Sequence, residues 1–272
     1  MESEFSNSLG FQIMTRDLDH LRVVLVAARN PLNIGAVARA MSNFGVRRLR
    51  VVNPYEVAFQ EARSAVGAAG LLAKAEQYET VAEAVADCKL VVGTTVAGSR
   101  RDLQHRLQRL DEGGRAIKRQ LKTGPVALLF GSERFGLSNQ EMSHCHWVMR
   151  IPTREEHGSM NLGQAVAVCL YELVRGQKTA AANPKTAPGK KEKTSATSGD
   201  VERLTQALFK VLGASGYVKP RAAAATEENL RRMVRRMQLN ANDTDMWLGM
   251  LRQIDWKLGA KEKDSDDQES AR

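Results

Sequence analysis

The chain has 272 residues, of which 43% are hydrophobic and 26% are charged, a composition that excludes a disordered chain and is ordinary for a globular protein. It has no apolar run near the ~20 residues of a membrane span, and its acidic, polar start MESEFSNSLG does not resemble a signal peptide. We therefore expect a cytoplasmic protein. Its three cysteines have no paired spacing, so we expect no disulfides. The formal net charge of +9 favours a polyanionic partner such as nucleic acid, although many unrelated proteins are equally basic.

Short apolar runs alternate with helical patterns over residues 20–176. The strand candidates are Arg22–Ala28, Leu49–Asn53, Leu90–Thr94, Val126–Phe130 and Trp147–Ile151. The helix candidates between them are Ile34–Phe44, Val81–Cys88, Arg115–Lys122, Asn139–His144 and Asn161–Arg175. Because the strand candidates are almost continuously hydrophobic, the alternation predicts an α/β domain with a parallel sheet that is buried on both faces. Ligands of such sheets bind beyond the carboxyl ends of the strands.

The rest of the chain divides by composition. Residues 1–19 form a polar N-terminal arm, and residues 177–199 hold two prolines, five lysines and no large apolar residue, which predicts a flexible basic linker. Residues 200–258 predict a small all-α domain with Asp200 as a helix cap. Its amphipathic segments are Val201–Leu212, Glu227–Leu239 and Thr244–Leu258. The charged residues 259–272 are expected to form a disordered tail.

The first motif, NPLNIGAVAR from Asn30 to Arg39, follows the first strand candidate. Pro31 keeps the turn extended, and Asn33 is a good helix N-cap. The planar guanidinium of Arg39 suits bidentate contact with an RNA phosphate. A capped helix with a solvated arginine explains the same residues, so this motif alone does not decide between the two interpretations.

The second motif, FGSERFGLS from Phe130 to Ser138, follows the fourth strand candidate. Its two glycines permit close approach of the backbone to a ligand. The spacing nearly matches a phosphate-binding P-loop, but Leu137 occupies the lysine position, so nothing in the motif neutralises a nucleotide's β- and γ-phosphates. The pattern therefore disfavours an NTPase. Glu133 suits a neutral or cationic ligand, or a loop-bracing role, equally well.

The third motif begins with IPT at Ile151 and continues with HGSMNLGQA to Ala165. It follows the last strand candidate and begins the last helix candidate, which Ser159 or Asn161 can cap. Polar side chains and free backbone N–H groups thereby gather at one strand end, where a ligand can bind. An ordinary loop with an N-cap is the alternative.

Together and in this order, the three motifs resemble those of the SpoU class of the SPOUT superfamily, which are RNA 2′-O-methyltransferases. The resemblance covers roughly residues 20–176. It implies a parallel α/β sheet with a C-terminal trefoil knot, S-adenosylmethionine as cofactor, no metal, and a homodimer with the active site at or near its interface. The segment Thr94–Arg101 and the helical extension further resemble a branch that methylates tRNA, which implies cytidine or uridine at position 32 of the anticodon loop as the target.

The resemblance also implies individual site residues, carried over position by position. The catalytic residues are Arg39, Asn33, Ser159, Asn161 and Glu133. The cofactor-binding residues are Thr94, Thr95, Gly98, Gly131, Glu133, Ile151, Pro152, Met160 and Leu162. The RNA-binding residues are Arg39, Arg100 and Arg101. Two mild departures from the class pattern are Met160, where leucine is usual, and Gly163, where alanine or a small hydroxyl residue is common.

The predicted C-terminal helices add a second expected RNA surface. Arg231, Arg232, Arg235 and Arg236 fall on one side of a helix, and we expect Arg231, Arg232 and Arg235 to contact tRNA, although a solvated face is the commoner fate of such a cluster. Two alternatives stay open: a 2′-O-methyltransferase of ribosomal RNA, which the helical extension disfavours only weakly, and a non-catalytic RNA-binding protein of the same fold. The intact motif residues argue against the second alternative.

The sequence also suggests a role for the first-motif arginine. An arginine side chain stays protonated throughout the neutral pH range and is therefore a poor general base there. We therefore expect Arg39 to grip a phosphate and stabilise the forming alkoxide, while Asn33, Ser159 and Asn161 orient the ribose and the methyl donor.

Overall fold

The computed structural model describes residues 18–63, 69–95, 105–154, 159–175 and 195–270, with the backbone alone at 56, 63 and 260–270. The chain divides into two compact units, Met1–Lys191 and Glu192–Arg272. The boundary falls inside the predicted linker, most of which lies outside the described residues. None of the helices formed by these residues is long and apolar enough to cross a membrane.

The first unit is built on a sheet of seven described strands. In chain order they are β1 (Leu21–Val26), β2 (Arg48–Val52), β3 (Glu76–Tyr78), β4 (Leu90–Thr95), β5 (Leu107–Arg109), β6 (Val126–Phe130) and β7 (Trp147–Arg150). Across the sheet the order is β3-β2-β1-β6-β4-β7-β5, and every neighbouring pair is parallel. The predicted α/β class with a parallel sheet is confirmed, and the five predicted strands are present with shifts of one or two residues at their ends.

The sequence did not predict the two strands at the edges of the sheet. β3 has the sequence EQY and β5 has LQR, and both are three residues long and at most half-buried. An edge strand has only one neighbour and little covering structure, so it needs no continuous apolar run. The hydrophobic pattern that revealed the central strands is therefore missing from these two.

Helices cover both faces of the sheet. They are α1 (Pro31–Asn43), α2 (Glu56–Arg63), α3 (Ala69–Ala73), α4 (Val81–Ala84), α5 (Leu110–Leu121), α6 (Asn139–Ser143) and α7 (Leu162–Val174). A hydrophobic core lies on each face of the sheet, and alternate residues of β1 belong to different cores. Val23 is in the core that includes α1, α5 and α7, and Val24 is in the core that includes α4 and α6. Close packing of α1 on α7 explains Gly163, because a Cβ there would lie 2.6 Å from the Cβ of Ala36.

The implied trefoil knot stays a prediction. It concerns the path of the chain around the third motif, and residues 155–158 between β7 and α7 lie outside the described part.

The second unit consists of helices α8 (Ser198–Ala214), α9 (Ala223–Arg236) and α10 (Ala241–Ser270), with a 3-10 turn at Pro220–Ala222. Thr197, not Asp200, caps α8: Thr197 Oγ1 accepts from Asp200 N at 3.2 Å, and the Asp200 carboxylate accepts from Thr197 N at 2.9 Å. This reciprocal capping box begins the helix earlier than predicted. The tail was also expected to be disordered, but α10 continues through it to Ser270; its charged residues include no proline that would end a helix.

The three arginines expected to contact RNA lie inside this unit. Arg231, Arg232 and Arg235 are only 5%, 8% and 3% exposed. Arg231 forms a bidentate pair with Glu202 of α8, with distances of 2.9 and 3.1 Å from Nε and 2.9 Å from Nη2, and Arg235 approaches the same carboxylate at 3.5 Å. This corrects the expectation: these guanidinium groups are buried and paired with carboxylates inside the helical unit, so they do not form an exposed RNA-binding face.

Candidate active site

The three motifs meet at one edge of the sheet, beyond the carboxyl ends of its central strands. They follow β1, β6 and β7. In the sheet β1 is next to β6, and β4 lies between β6 and β7. A cavity of about 630 Å³ opens at this edge. It is lined by residues 130–137, by the end of β4 and by the loop that precedes α7. Its size lies within the usual range for small-molecule sites.

Asn33 is placed differently from the sequence prediction. The N-cap of α1 is Asn30, whose Oδ1 accepts from Leu32 N at 2.9 Å, and Pro31 occupies the first helical position. Proline is preorganised for that position and has no N–H to leave unsatisfied. Because Asn30 caps the helix, the side chain of Asn33 is available to the cavity, which it lines.

A chain of hydrogen bonds joins one residue from each motif. Asn161 Nδ2 donates to Asn33 Oδ1 at 2.7 Å, and Asn33 Nδ2 donates to Glu133 Oε1 at 3.1 Å. Asn161 also caps α7, because its Oδ1 accepts from Gly163 N at 3.0 Å and from Gln164 N at 3.4 Å. These contacts fix both asparagine side chains, so their positions at the cavity are preorganised.

Glu133 braces the loop after β1. Its carboxylate accepts from the backbone N–H groups of Arg29 and Asn30, each at 3.2 Å, as well as from Asn33. Partial burial tends to raise the pKa of Glu133, but the hydrogen bonds outweigh it and hold the pKa below its ordinary value. Of the two roles that the sequence left open for Glu133, the structure shows the bracing one.

This bracing predicts a pH-dependent contribution to stability. The folded pKa of Glu133 is depressed below its ordinary value of 4.5, so the stabilisation by its carboxylate is fully present above that value and is lost as the pH falls through the folded pKa. We expect Glu133→Gln, which places an amide among N–H donors, to lower the unfolding free energy by about 1–3 kcal/mol at neutral pH. Urea unfolding of the wild type and of Glu133→Gln at several pH values measures the difference in unfolding free energy. This difference should shrink as the pH falls below the pKa of Glu133 in the unfolded chain. The control Glu112→Gln, at an exposed position of α5, should show no such pH-dependent difference; a Glu133→Gln effect that is equally large in acid would contradict the interpretation.

The second motif forms a tightly closed loop. Gly136 N donates to Ser132 O at 2.8 Å, and Gly136 has a left-handed φ of +65°. A Cβ added to Gly131 would lie 2.1 Å from the carbonyl carbon of Gly136. Only glycine therefore allows the two sides of this loop to approach so closely.

We predict that Gly131→Ala weakens ligand binding in the cavity by about 10- to 100-fold, since backbone that must move apart costs about 1–3 kcal/mol. Calorimetric titration with S-adenosylmethionine measures the loss. Gly213→Ala is the matched control, because a Cβ at that position of α8 meets nothing within 4 Å. Unchanged affinity in Gly131→Ala would show that the ligand does not depend on this loop.

Most predicted site residues border the cavity. Those that line it are Asn33, Thr94, Thr95, Gly131, Glu133, Ile151, Ser159, Met160, Asn161 and Leu162. Pro152 and Arg39 are exposed and are not among the described residues lining it. Gly98, Arg100 and Arg101 lie outside the described residues.

Several lining residues were not predicted. Phe130, Ser132, Arg134, Phe135 and Leu137 line the cavity together with Met142 and Thr153. The first five belong to the second motif. Treating that whole motif as one ligand-contacting loop at a strand end would have predicted them. Met142 carried no such signal, because an apolar residue on a short helix is ordinarily part of a core.

The comparisons with known proteins agree with this arrangement. The model of the SpoU rRNA methylase family matches residues 20–171. This chain belongs to the SpoU rRNA methylase family. The resemblance seen in the three motifs is thereby confirmed, and the matched residues include every element that forms the cavity.

Close relatives of this SpoU family member match over most of its length. The tRNA (cytidine/uridine-2′-O-)-methyltransferase TrmJ of Cronobacter sakazakii is 35% identical over 240 residues, which cover 88% of this chain and 97% of that protein. TrmJ of Yersinia pestis is 35% identical over 242 residues, covering 88% and 92%. Among solved structures, TrmJ from Z. mobilis ZM4 superposes with a TM-score of 0.72 at 30% identity and covers 86% of this chain and 98% of that one. The similarity to TrmJ thus extends beyond the catalytic unit into the helical unit.

Proposed function

We propose that the protein transfers a methyl group from S-adenosylmethionine to the ribose 2′-oxygen of a cytidine or uridine in tRNA, at position 32 of the anticodon loop. The observation that carries the proposal is the hydrogen-bonded chain from Glu133 through Asn33 to Asn161, which joins all three motifs at one cavity. The TrmJ relatives support the choice of tRNA, because they match almost end to end. A tRNA substrate also implies a cytoplasmic protein.

The cavity fits the proposed cofactor. It combines apolar walls, such as Leu137 and Leu162, with the polar groups of Thr94 and Thr95 and the exposed backbone of the second motif. Thr94 Oγ1 donates to Leu129 O at 2.9 Å, which holds the end of β4 against β6. When bound, S-adenosylmethionine supplies an electrophilic methyl group on a sulfonium. The residues that would hold it are Gly131, Met160 and their neighbours in the two loops.

The chain must then make a ribose hydroxyl reactive. Transfer would form the bond from the 2′-oxygen to the methyl carbon, break the bond from that carbon to sulfur with S-adenosylhomocysteine as the leaving group, and release the hydroxyl proton to water. Asn33 and Asn161, held by their mutual hydrogen bond, orient the ribose. Arg39 stabilises the charge that develops on the oxygen and grips the adjacent phosphate. Ser159, at the cavity, is a further group that can contact the sugar.

A homodimer completes this proposal. Arg39 is exposed on α1 and does not border the cavity of its own chain in the described structure. If the active site lies at or near a subunit interface, as the family resemblance implies, Arg39 reaches the ribose held by the partner subunit. Sedimentation of the purified protein should therefore show a dimer.

Labelled methyl transfer to unmodified bulk tRNA, followed by mapping of the modified nucleotide, tests the proposal. We expect a 2′-O-methyl mark in the anticodon loop. Transfer to ribosomal RNA but not to tRNA would favour the rRNA alternative, which is also the substrate in the family's description. Failure to bind the cofactor at all, with RNA still bound, would identify a non-catalytic RNA-binding protein.

A further inference from the structure

A second groove lies on the other side of the loop that carries Glu133. It has a volume of about 780 Å³ and is lined by the first residues after β1 and by Ser132–Phe135. Ser132–Phe135 also line the first cavity. A single loop therefore borders both spaces, and a polymer whose reacting unit occupies the cavity can continue across the loop into the groove.

Phe135 presents its ring at this border. It is 70% exposed, which is unusual for a side chain of this size and polarity. The loop that carries it is closed by the hydrogen bond from Gly136 N to Ser132 O at 2.8 Å, and Phe135 N itself donates to Ser132 Oγ at 3.3 Å. The backbone thus fixes an apolar ring in solvent, beside the proposed catalytic residues.

The groove is also positively charged. The guanidinium of Arg134 lies 5.0 Å from the ring centroid of Phe135, and that of Arg29 lies 5.4 Å from the centroid of Tyr55. Glu133, the carboxylate nearest to them in the groove, accepts from backbone and amide N–H groups. Among the described residues, neither arginine forms an ion pair with a carboxylate, so no such pair competes with a phosphate for either guanidinium.

We propose that this groove holds the nucleotide next to the methylated one, with its base stacked on Phe135 and its phosphate bound by Arg29 and Arg134. The inference rests on the proposed function, because it places the target ribose in the adjacent cavity. Aromatic stacking accepts every base, and arginine forks bind phosphate through paired hydrogen bonds. If a second copy of the chain covered the groove instead, Phe135→Ala would change the oligomeric state.

Direct RNA binding tests the aromatic contact. With an unmodified tRNA transcript, Phe135→Ala should weaken binding about tenfold, as expected for the loss of one base–aromatic stack, and Phe135→Trp should restore it. Phe135→Leu, which keeps an apolar side chain without a ring, should resemble alanine. Tyr217→Ala, at a 68% exposed aromatic in the helical unit, is the matched control and should leave the affinity unchanged.

The salt dependence of binding tests the arginines. The logarithm of the RNA-binding constant falls linearly with the logarithm of the salt concentration. Arg29→Gln and Arg134→Gln should each reduce the magnitude of this slope by about 0.7, the value for one phosphate contact with a single strand. Arg119→Gln, at an exposed position of α5, should leave the slope unchanged. Equal slopes in all four proteins would overturn the phosphate contacts.

Transcripts that lack one base on either side of the target nucleotide identify the partner of Phe135. At one of the two positions, the losses of binding free energy caused by the missing base and by Phe135→Ala should be non-additive, because both changes remove the same stack. Additive losses of binding free energy at both positions would overturn the stacking proposal. The proposal would also fail if Phe135→Ala changed the oligomeric state of the protein in parallel with its RNA affinity. If the wild type binds RNA with this coupling but methylates none, the proposed function fails and the groove stands; if it methylates tRNA and Phe135→Ala binds normally, the groove fails alone.

Discussion

Arg39→Ala should lower kcat for methyl transfer to tRNA by about 10²- to 10³-fold, the loss that follows removal of one group that stabilises a developing oxyanion. The affinity for S-adenosylmethionine should stay unchanged, because Arg39 is exposed on α1 and is not among the described residues that line the proposed cofactor cavity. Steady-state methyl transfer at saturating tRNA measures kcat, and calorimetry measures the affinity for S-adenosylmethionine. The matched control is Arg119→Ala, which removes an equally exposed arginine from α5.

The pH dependence of the same reaction separates two roles for Arg39. A general base that is almost fully protonated at neutral pH would make the rate rise about tenfold per pH unit through the neutral range, and alanine would remove that rise. A group that only stabilises charge introduces no such ionisation. A kcat that survives Arg39→Ala would contradict both roles and would leave Asn33 and Asn161 as the groups that act on the ribose.

Glu202→Ala should lower the stability of the helical unit by about 3–5 kcal/mol, the cost of leaving buried charge without its partner. Glu202 is 7% exposed and holds Arg231 and Arg235, which are 5% and 3% exposed. Burial alone tends to lower the pKa of Arg231, but the hydrogen bonds and charge of Glu202 raise it above its ordinary value, so the arginine stays charged when folded. Removing the carboxylate would leave this charge in the helix interface, where Glu227 still pairs with it.

Hydrogen exchange in peptides from α8 and α9 measures this loss of stability locally, which avoids assuming that both units of the chain unfold together. Asp255→Ala is the matched control, because its pair with Lys210 also joins two helices of the unit but lies at the surface, where such a pair contributes about 0–1 kcal/mol. An effect of Glu202→Ala no larger than that of Asp255→Ala would show that the buried pair is unimportant for packing. It would also reopen the question of whether these arginines contact RNA.

The sequence alone determined the central sheet and the family. Strands such as β1 and β6 are buried on both faces, so all their residues except Arg22 of β1 are apolar, and the pattern is visible in one dimension. The three motifs were also recognisable without coordinates, because a ligand site at strand ends needs glycine, asparagine and other special residues at set positions. The prediction that the motifs meet follows from the geometry of parallel strands.

Tertiary structure decided which residue does what inside those motifs. Both Asn30 and Asn33 have the chemistry of an N-cap, and only the backbone path shows that Asn30 caps α1 while Asn33 bonds to Glu133 and Asn161. Edge strands β3 and β5 were invisible because a neighbour on one side imposes no apolar run.

The arginines of α9 show the same division most clearly. Their spacing revealed a shared helix face, which the sequence did determine. Whether that face meets solvent or another helix depends on α8, where Glu202 lies 29 residues before Arg231 in the chain and 2.9 Å from it in space. Only the packing of the two helices brings this carboxylate to the arginines, and burial of the pair turned an expected RNA surface into a structural core.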